Sequence, residues 1–183
     1  MNQRRAPKPR PPLNQAMLDE IALHYVGRFA TTRAKLATYL QRKLRERGWA
    51  GPADADIAAL VARFERSGLI DDSAYALAKS QSLTRRGYGK RRVALALRGA
   101  GVAEEEGAEA LDHADREAAS AALRFAQRRR IGPFAAMVPS DPKQRDKQLA
   151  AMIRAGHSFA LARAILRLAP GAEPDLEALA DER

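Results

Sequence analysis

The sequence predicts an all-α protein, arranged as an elongated tandem array of three three-helix repeats. Alanine, the residue with the highest helix propensity, is very frequent, and aromatic residues make up only 5% of the 183 residues. Apolar positions recur three or four residues apart, and Gly or Pro falls where each such pattern stops. Few segments show the β-branched alternation that strands prefer. Burial must therefore come largely from close packing of helices.

The first repeat shows two helical stripes. Leucines spaced by four occur in residues 36–44, and the pattern ends at Gly48, because Gly tolerates the positive φ of a helix C-terminal cap. A second stripe covers residues 57–64 and begins after either Asp54 or Asp56, both of which are suitable N-cap residues.

The later part of the chain shows the same pattern of apolar stripes, N-cap residues and Gly stops. A stripe at residues 93–97 stops at Gly101. Residues 140–142, Ser-Asp-Pro, predict a helix start that leads to a stop at Gly156. Ser158 is then placed to cap a last helix.

An internal repeat follows from the helix stops. At nearly equal intervals an apolar residue precedes a Gly by four positions, at Leu44 and Gly48, Leu97 and Gly101, and Met152 and Gly156. A three-helix unit of this size is marginal alone and gains from stacking on its neighbours. We therefore expect a tandem array rather than one globule.

The predicted domain boundaries follow from these stops. The three repeats span residues 15–68, 69–114 and 115–169. A flexible, basic, Pro-rich arm at 1–14 and a loose acidic tail at 170–183 flank them.

The charge balance limits the classes of partner. Lys and Arg number 32 against 22 Asp and Glu, a net charge of +10, which favours a polyanion or an acidic protein surface. Cys is absent, so there is neither a disulfide framework nor a thiolate metal site. No apolar run is long enough to span a bilayer, and the basic start leads into no apolar signal region. We expect a soluble, cytoplasmic monomer that does not bind membranes.

Enzyme chemistry finds no support in the sequence. The histidines, His24, His113 and His157, are far apart and lack partners at helical metal-site spacing, so no metal site or cofactor is predicted. Asp71 and Asp72 precede a helix and are expected to cap it rather than to catalyse a reaction. The Gly-Tyr-Gly-Lys stretch lacks the spacing and the Ser or Thr of a phosphate-binding loop.

The candidate binding site is a basic turn between two predicted helices. Residues 84–92 carry five cations and no acid, and two Gly residues are expected to let the backbone bend. Such a cluster can grip phosphates or a carboxylate-rich surface. The candidate residues in this turn are Arg85, Arg86, Tyr88, Lys90, Arg91 and Arg92. Tyr88 is either a stacking surface for a base or an apolar patch, or an anchor in the core.

A second basic cluster lies further along the chain, at Arg124, Arg128, Arg129 and Arg130. Three consecutive Arg residues cannot share one helical face, so at least one of them points to solvent or to a partner. We include residues 128–130 in the candidate site.

Three-helix units invite comparison with helix-turn-helix and homeodomain DNA readers, whose last helix enters the major groove. Here the third helix of the second repeat opens with residues 104–106, Glu-Glu-Glu, which phosphates would repel. A free-standing helix-turn-helix regulator is the alternative hypothesis, and it demands sequence preference in a binding selection.

Residues 68–102 carry a family resemblance. The segments Gly-Leu-Ile-Asp-Asp at 68–72, Tyr75-Ala76, Arg-Arg-Gly-Tyr-Gly-Lys-Arg-Arg at 85–92 and Gly101-Val102 resemble, in this order, the central unit of the RecX family. Weaker similarity extends over most of residues 16–168. The resemblance implies a non-enzymatic protein of three tandem three-helix repeats that modulates the RecA recombinase.

The resemblance also implies a partner and a mode of action. RecX-like proteins are expected to lie along the RecA filament on single-stranded DNA and to restrain its ATP hydrolysis, strand exchange and co-protease activity in recombination and the SOS response. Contact with single-stranded DNA would be direct or through RecA. The sequence then predicts that reversing Arg91 and Arg92 to Glu weakens filament binding while helical content stays unchanged.

Overall fold

The computed structural model describes residues 11–182, and every regular element within that range is a helix. The prediction of an all-α protein is confirmed. The chain divides into two compact units, residues 1–71 and 72–183. None of the helices between residues 11 and 182 is long and apolar enough to cross a membrane.

Between residues 11 and 71, the described part of the first unit, there are three helices. They are α1 (Gln15–Arg28), α2 (Arg33–Arg47) and α3 (Ile57–Arg66). The side chains of Asn14, Thr32 and Asp56 accept backbone N–H groups at the three N-termini. At α3 the carboxylate of Asp56 accepts the N–H of Ala59 at 2.8 Å, so Asp56 and not Asp54 is the cap.

The segment before α1 is held in place from residue 11 onwards, because the guanidinium of Arg47 donates to the carbonyl of Pro11 at 2.9 Å. Leu13 is fully buried in the core of the first unit. Its N–H donates to the carbonyl of Gly48 at 2.9 Å, and its carbonyl accepts the N–H of Ala50 at 2.8 Å. The predicted flexible arm is therefore wrong at Leu13, because an apolar side chain there fills the core, while residues 1–10 lie outside the described residues.

The second unit contains seven α-helices and one 3-10 turn, Gly132–Phe134. The helices are α4 (Asp72–Arg85), α5 (Lys90–Gly99), α6 (Glu104–Arg116), α7 (Ala118–Arg129), α8 (Pro142–Arg154), α9 (Phe159–Arg167) and α10 (Leu176–Ala180). The stops predicted at Gly48, Gly101 and Gly156 are confirmed, since all three glycines have positive φ. The division of this unit into residues 69–114, 115–169 and a tail stays a proposal.

The predicted helix starts are also confirmed in this unit. Asp141 accepts the N–H of Lys143 at 2.9 Å, and Ser158 accepts the N–H of Leu161 at 3.0 Å. Helix α4 begins at Asp72, so this carboxylate lies in the first turn of the helix and only Asp71 precedes it. These signals are local, which is why the sequence alone reveals them.

The acidic C-terminal segment is not loose within the described residues. Residues 176–180 form α10, and the carboxylate of Asp175 accepts the N–H groups of Glu177 and Ala178. Leu179 is 5% exposed and lies in the same core cluster as residues of α7, α8 and α9. The expectation of a loose tail is wrong because this single buried leucine anchors the acidic segment.

Candidate functional site

The basic turn between α4 and α5 has a fixed backbone. Gly87 has φ of +75°, and its N–H donates to the carbonyl of Thr84 at 2.8 Å. The N–H of Tyr88 donates to the carbonyl of Leu83 at 3.0 Å. This is the paired hydrogen-bond pattern of a Schellman cap, which ends α4 and directs the chain into α5.

The same turn is bonded to the turn between α8 and α9. The N–H of Gly89 donates to the carbonyl of Ala155 at 2.9 Å, and the N–H of Arg91 donates to the carbonyl of Gly156 at 3.2 Å. A Cβ on Gly89 would overlap the carbonyl of Gly156 and lie 2.7 Å from the backbone nitrogen of His157. The two glycines let the backbone turn between α4 and α5, as the sequence predicts, and Gly89 also permits the close approach of two backbones.

The buried side chain of His157 contacts the turn and hydrogen-bonds to its backbone. Its Nε2 is 3.2 Å from the carbonyl oxygen of Gly87, so the proton resides on Nε2, which donates to that oxygen. Burial lowers the pKa of His157 from 6.5 to about 4, with the Gly87 hydrogen bond opposing that shift, and the ring is neutral at neutral pH. Phe125 meets the ring edge-on at a centroid distance of 5.7 Å. No described residue hydrogen-bonds to Nδ1.

Tyr88 has a double role in this arrangement. It is partly buried and packs against the two core clusters of the second unit. The guanidinium carbon of Arg86 lies 5.5 Å from its ring centroid, and that of Arg92 lies 5.9 Å away. Both distances are within cation–π range, so the ring anchors the core and orients two cations.

A groove lined by arginines opens beside Tyr88. We call it the arginine groove, and its lining consists of Tyr88, Arg92, Phe125, Arg128, Arg129, Ala151, Arg154 and Ala155. Arg92 comes from α5, Arg128 and Arg129 from α7, and Arg154 from α8. The fold thus joins the two basic clusters that are separate in the sequence, and Arg129 also lies 5.7 Å from the ring of Phe125.

Arg154 and Phe125 were missed by sequence reasoning. Arg154 is exposed at the end of α8, where a cation is ordinary. Only the contact between Gly89 and Gly156, residues far apart along the chain, places Arg154 beside Arg92. No local signal in the sequence reports such a contact.

Other candidate residues lie outside the groove lining. Lys90 forms an ion pair with Asp115 at 3.1 Å on the surface. Arg85 and Arg91 are exposed, and Arg130 caps α7 with φ of +53°. None of these four residues lines the groove.

Arg124, from the second basic cluster, has a structural role. Its guanidinium pairs with the carboxylate of Glu117 at 2.9 Å, and its Nε donates to the carbonyl of Thr84 at 3.3 Å. It links α7 to the end of α4, and its charge is compensated.

The charge of the groove is uncompensated within the described part of the chain. None of its four arginines forms an ion pair with an acidic residue between 11 and 182. The lining contains no acid. Guanidinium groups that have no acidic partner can bind phosphates or carboxylates through paired hydrogen bonds.

Residues 11–182 contain no group of three or more His, Cys, Asp or Glu side chains that could hold a metal ion. The groove therefore offers cationic and aromatic contacts, and the described residues that line it include no nucleophile next to a general base.

Comparison with known proteins identifies the family. Residues 71–111, which span α4, α5 and most of α6, match the family model described as "RecX, second three-helix domain". The Regulatory protein RecX of Myxococcus xanthus is 36% identical over 169 residues, covering 88% of this chain and 90% of that protein. The chain belongs to the RecX family. The Regulatory protein RecX of Agrobacterium fabrum is 31% identical over 150 residues, 80% of each chain.

Solved structures agree on the fold. The crystal structure of RecX from Lactobacillus salivarius superposes with a TM-score of 0.60 at 18% identity, covering 83% of this chain and 94% of that one. A second crystal structure, of a regulatory protein RecX, gives the same TM-score and identity over 84% of this chain and 71% of the other. The basic turn lies within the matched RecX domain, whereas Arg128, Arg129 and Arg154 lie beyond it.

Proposed function

We propose that this member of the RecX family binds a RecA filament on single-stranded DNA and lowers its ATPase, strand-exchange and co-protease activities in recombination and the SOS response. Membership of the RecX family carries the proposal, through 36% identity over most of the chain to a protein named as regulatory. We further propose that the protein is a non-enzymatic, cofactor-free monomer of the cytoplasm that does not bind membranes.

The arginine groove is the proposed contact, together with the basic turn around it. It supplies Arg92, Arg128, Arg129 and Arg154, which have no acidic partner within residues 11–182. An assembly of protein and nucleic acid presents both carboxylates and phosphates, and guanidinium groups bind either. The fixed backbone of the turn supports this role, because preorganised cations lose less entropy on binding.

The test is the rate of RecA-dependent ATP hydrolysis on single-stranded DNA as the protein is added. We expect the rate to fall as the protein approaches stoichiometry with RecA. An unchanged rate at stoichiometric protein would contradict the proposal.

Two double variants distinguish the effect of the groove arginines on inhibition from the effect of net charge. R92E/R154E reverses two groove cations, and we expect inhibition to need at least about tenfold more protein. The control R98E/R116E makes the same change in net charge at exposed residues of α5 and α6 outside the groove, and should inhibit like the natural protein. Arg91 is exposed outside the lining, so we expect Arg92 to carry most of the effect of reversing Arg91 and Arg92 together.

A binding selection, combined with the ATPase assay, tests the helix-turn-helix alternative. Helix α6 begins with Glu104, Glu105 and Glu106 in its first turn, the end that a recognition helix would present to DNA. Sequence preference for one duplex in a binding selection, with no effect on RecA, would favour that alternative.

A further inference from the structure

A second groove lies at α8 and α9, away from the arginine groove. Its lining is mostly aliphatic, and we call it the aliphatic groove: Gly132, Ala135, Met137, Val138, Pro139, Arg145, Asp146, Gln148, Leu149, Arg163, Leu166, Arg167, Leu168 and Pro170. Met137 is 75% exposed and Val138 is 61% exposed. Two large apolar side chains this exposed, next to partly buried leucines, indicate a surface suited to an apolar partner.

The walls of this groove are fixed to each other. The N–H of Gly171 donates to the carbonyl of Pro133 at 2.9 Å, which ties the chain after α9 to the 3-10 turn. Gly132 has φ of +58°, and a Cβ there would lie 2.6 Å from the carbonyl oxygen of Ile165. The fold therefore sets the shape of the groove, because the 3-10 turn and α9 are in close backbone contact.

The rim of the aliphatic groove is cationic. The lining contains one acidic residue, Asp146, and three arginines, Arg145, Arg163 and Arg167. All three arginines are exposed, and their guanidinium groups make no hydrogen bond or ion pair with any residue from 11 to 182. An aliphatic floor bordered by unpaired guanidinium groups is complementary to a ligand that carries both apolar side chains and carboxylates.

We infer that the aliphatic groove docks a short acidic segment of a partner protein, one that places leucine-like side chains on Met137 and Val138. Charge complementarity with the three rim arginines selects this occupant. Single-stranded nucleic acid fits less well, because the lining has no aromatic residue on which a base could stack. The acidic segment of this chain itself is engaged elsewhere, since Leu179 is buried in its own core.

The two grooves have no lining residue in common. The inference therefore does not rest on the proposed function, and each can fail alone.

The experiment measures fluorescence polarisation of a short labelled peptide of Asp, Glu and Leu residues, titrated with the full chain. Two matched peptides carry Lys in place of the acids or Ser in place of the leucines. We expect the acidic apolar peptide to bind, and each matched peptide to bind at least about tenfold more weakly. Equal binding of either matched peptide would contradict the inference.

Variants of the protein test whether the peptide binds in the aliphatic groove. R163E/R167E reverses two rim charges, and M137S/V138S removes the apolar contact at exposed positions that are not part of the core. We expect each to weaken peptide binding about tenfold. R98E/R116E and L23S, which alter exposed residues elsewhere, should bind like the natural protein.

Three results would overturn the inference. Loss of peptide binding in R92E/R154E but not in R163E/R167E would place the peptide in the arginine groove. Competition by a single-stranded oligonucleotide that R163E/R167E abolishes would make the occupant a nucleic acid. Self-association in sedimentation that M137S/V138S abolishes would make it a second copy of the chain.

Discussion

At the scale of single residues, the contact between Gly89 and Gly156 brings the start of α5 next to the end of α8. Two backbones approach so closely that hydrogen bonds link Gly89 to Ala155 and Arg91 to Gly156. A side chain at either glycine would separate them. The position of Arg154 next to Arg92 depends on this contact.

Gly89→Ala should therefore destabilise the second unit. The added Cβ would overlap the carbonyl of Gly156, and overpacking of this kind costs about 2 kcal/mol in the free energy of unfolding. Gly99→Ala is the matched control at the other end of α5, because nothing lies within 4 Å of its Cβ. Urea denaturation should show a loss for Gly89→Ala and a small gain for Gly99→Ala. Equal midpoints would mean that the turn is not tightly packed.

His157 predicts a dependence of stability on pH. Because the pKa of His157 falls from 6.5 to about 4 on folding, the unfolded chain binds more protons between these values. The contribution of neutral His157 is fully present above pH 6.5 and is lost as the pH falls through about 4, a change of about 3 kcal/mol.

Denaturation series from neutral pH down to about 4 check this prediction. Carboxylates add their own pH dependence, so the readout is the difference between the natural protein and His157→Gln. The variant should lose stability less steeply over this range. Identical slopes for the natural protein and His157→Gln would contradict the prediction.

At the scale of secondary-structure elements, short segments outside the predicted repeats complete the cores. Leu13 closes the core of the first unit, and α10 adds Leu179 to the core that α7, α8 and α9 share. Both segments look loose in the sequence, since Pro-rich and acidic compositions are typical of tails. One buried leucine in each is enough to fix it.

Leu179→Ala should lower the free energy of unfolding by about 2 to 3 kcal/mol, the usual cost of truncating a buried leucine. Leu176 lies in the same helix and is 50% exposed, so Leu176→Ala should change little. Thermal and urea denaturation of both variants give the comparison. If the two variants were equally stable, α10 would not be part of the core.

At the scale of the whole molecule, both the net charge and the positions of unpaired cations are expected to affect binding to a polyanion. The chain carries +10, but several cations are paired with acids, as in Arg63 with Asp19 and Lys90 with Asp115. The arginine groove concentrates charge that has no acidic partner in the described residues. Local unpaired charge, more than the total, should set the strength of binding to a polyanion.

The proposed binding to the RecA filament should accordingly weaken as salt rises. If Arg92 and Arg154 contact DNA phosphates, R92E/R154E should flatten the slope of log affinity against log salt by about 1.4, from two lost contacts to a single strand. R98E/R116E should retain the slope. Filament binding followed at several salt concentrations provides the measurement, and an unchanged slope in R92E/R154E would assign those arginines to contacts other than phosphate.

The sequence is enough to predict the apolar stripes of α2, α3, α5, α8 and α9, several of the caps and stops, the excess of cations and the family resemblance. These features are local or additive, because a cap at Ser158 or a stop at Gly101 needs only neighbouring residues. Tertiary structure alone decided that Gly87 and Gly89 are packing contacts, that Leu13 and Leu179 are buried, and that Arg154 joins Arg92. Each of those outcomes depends on backbone or side-chain contacts between residues distant in the chain, which no local pattern of residues encodes.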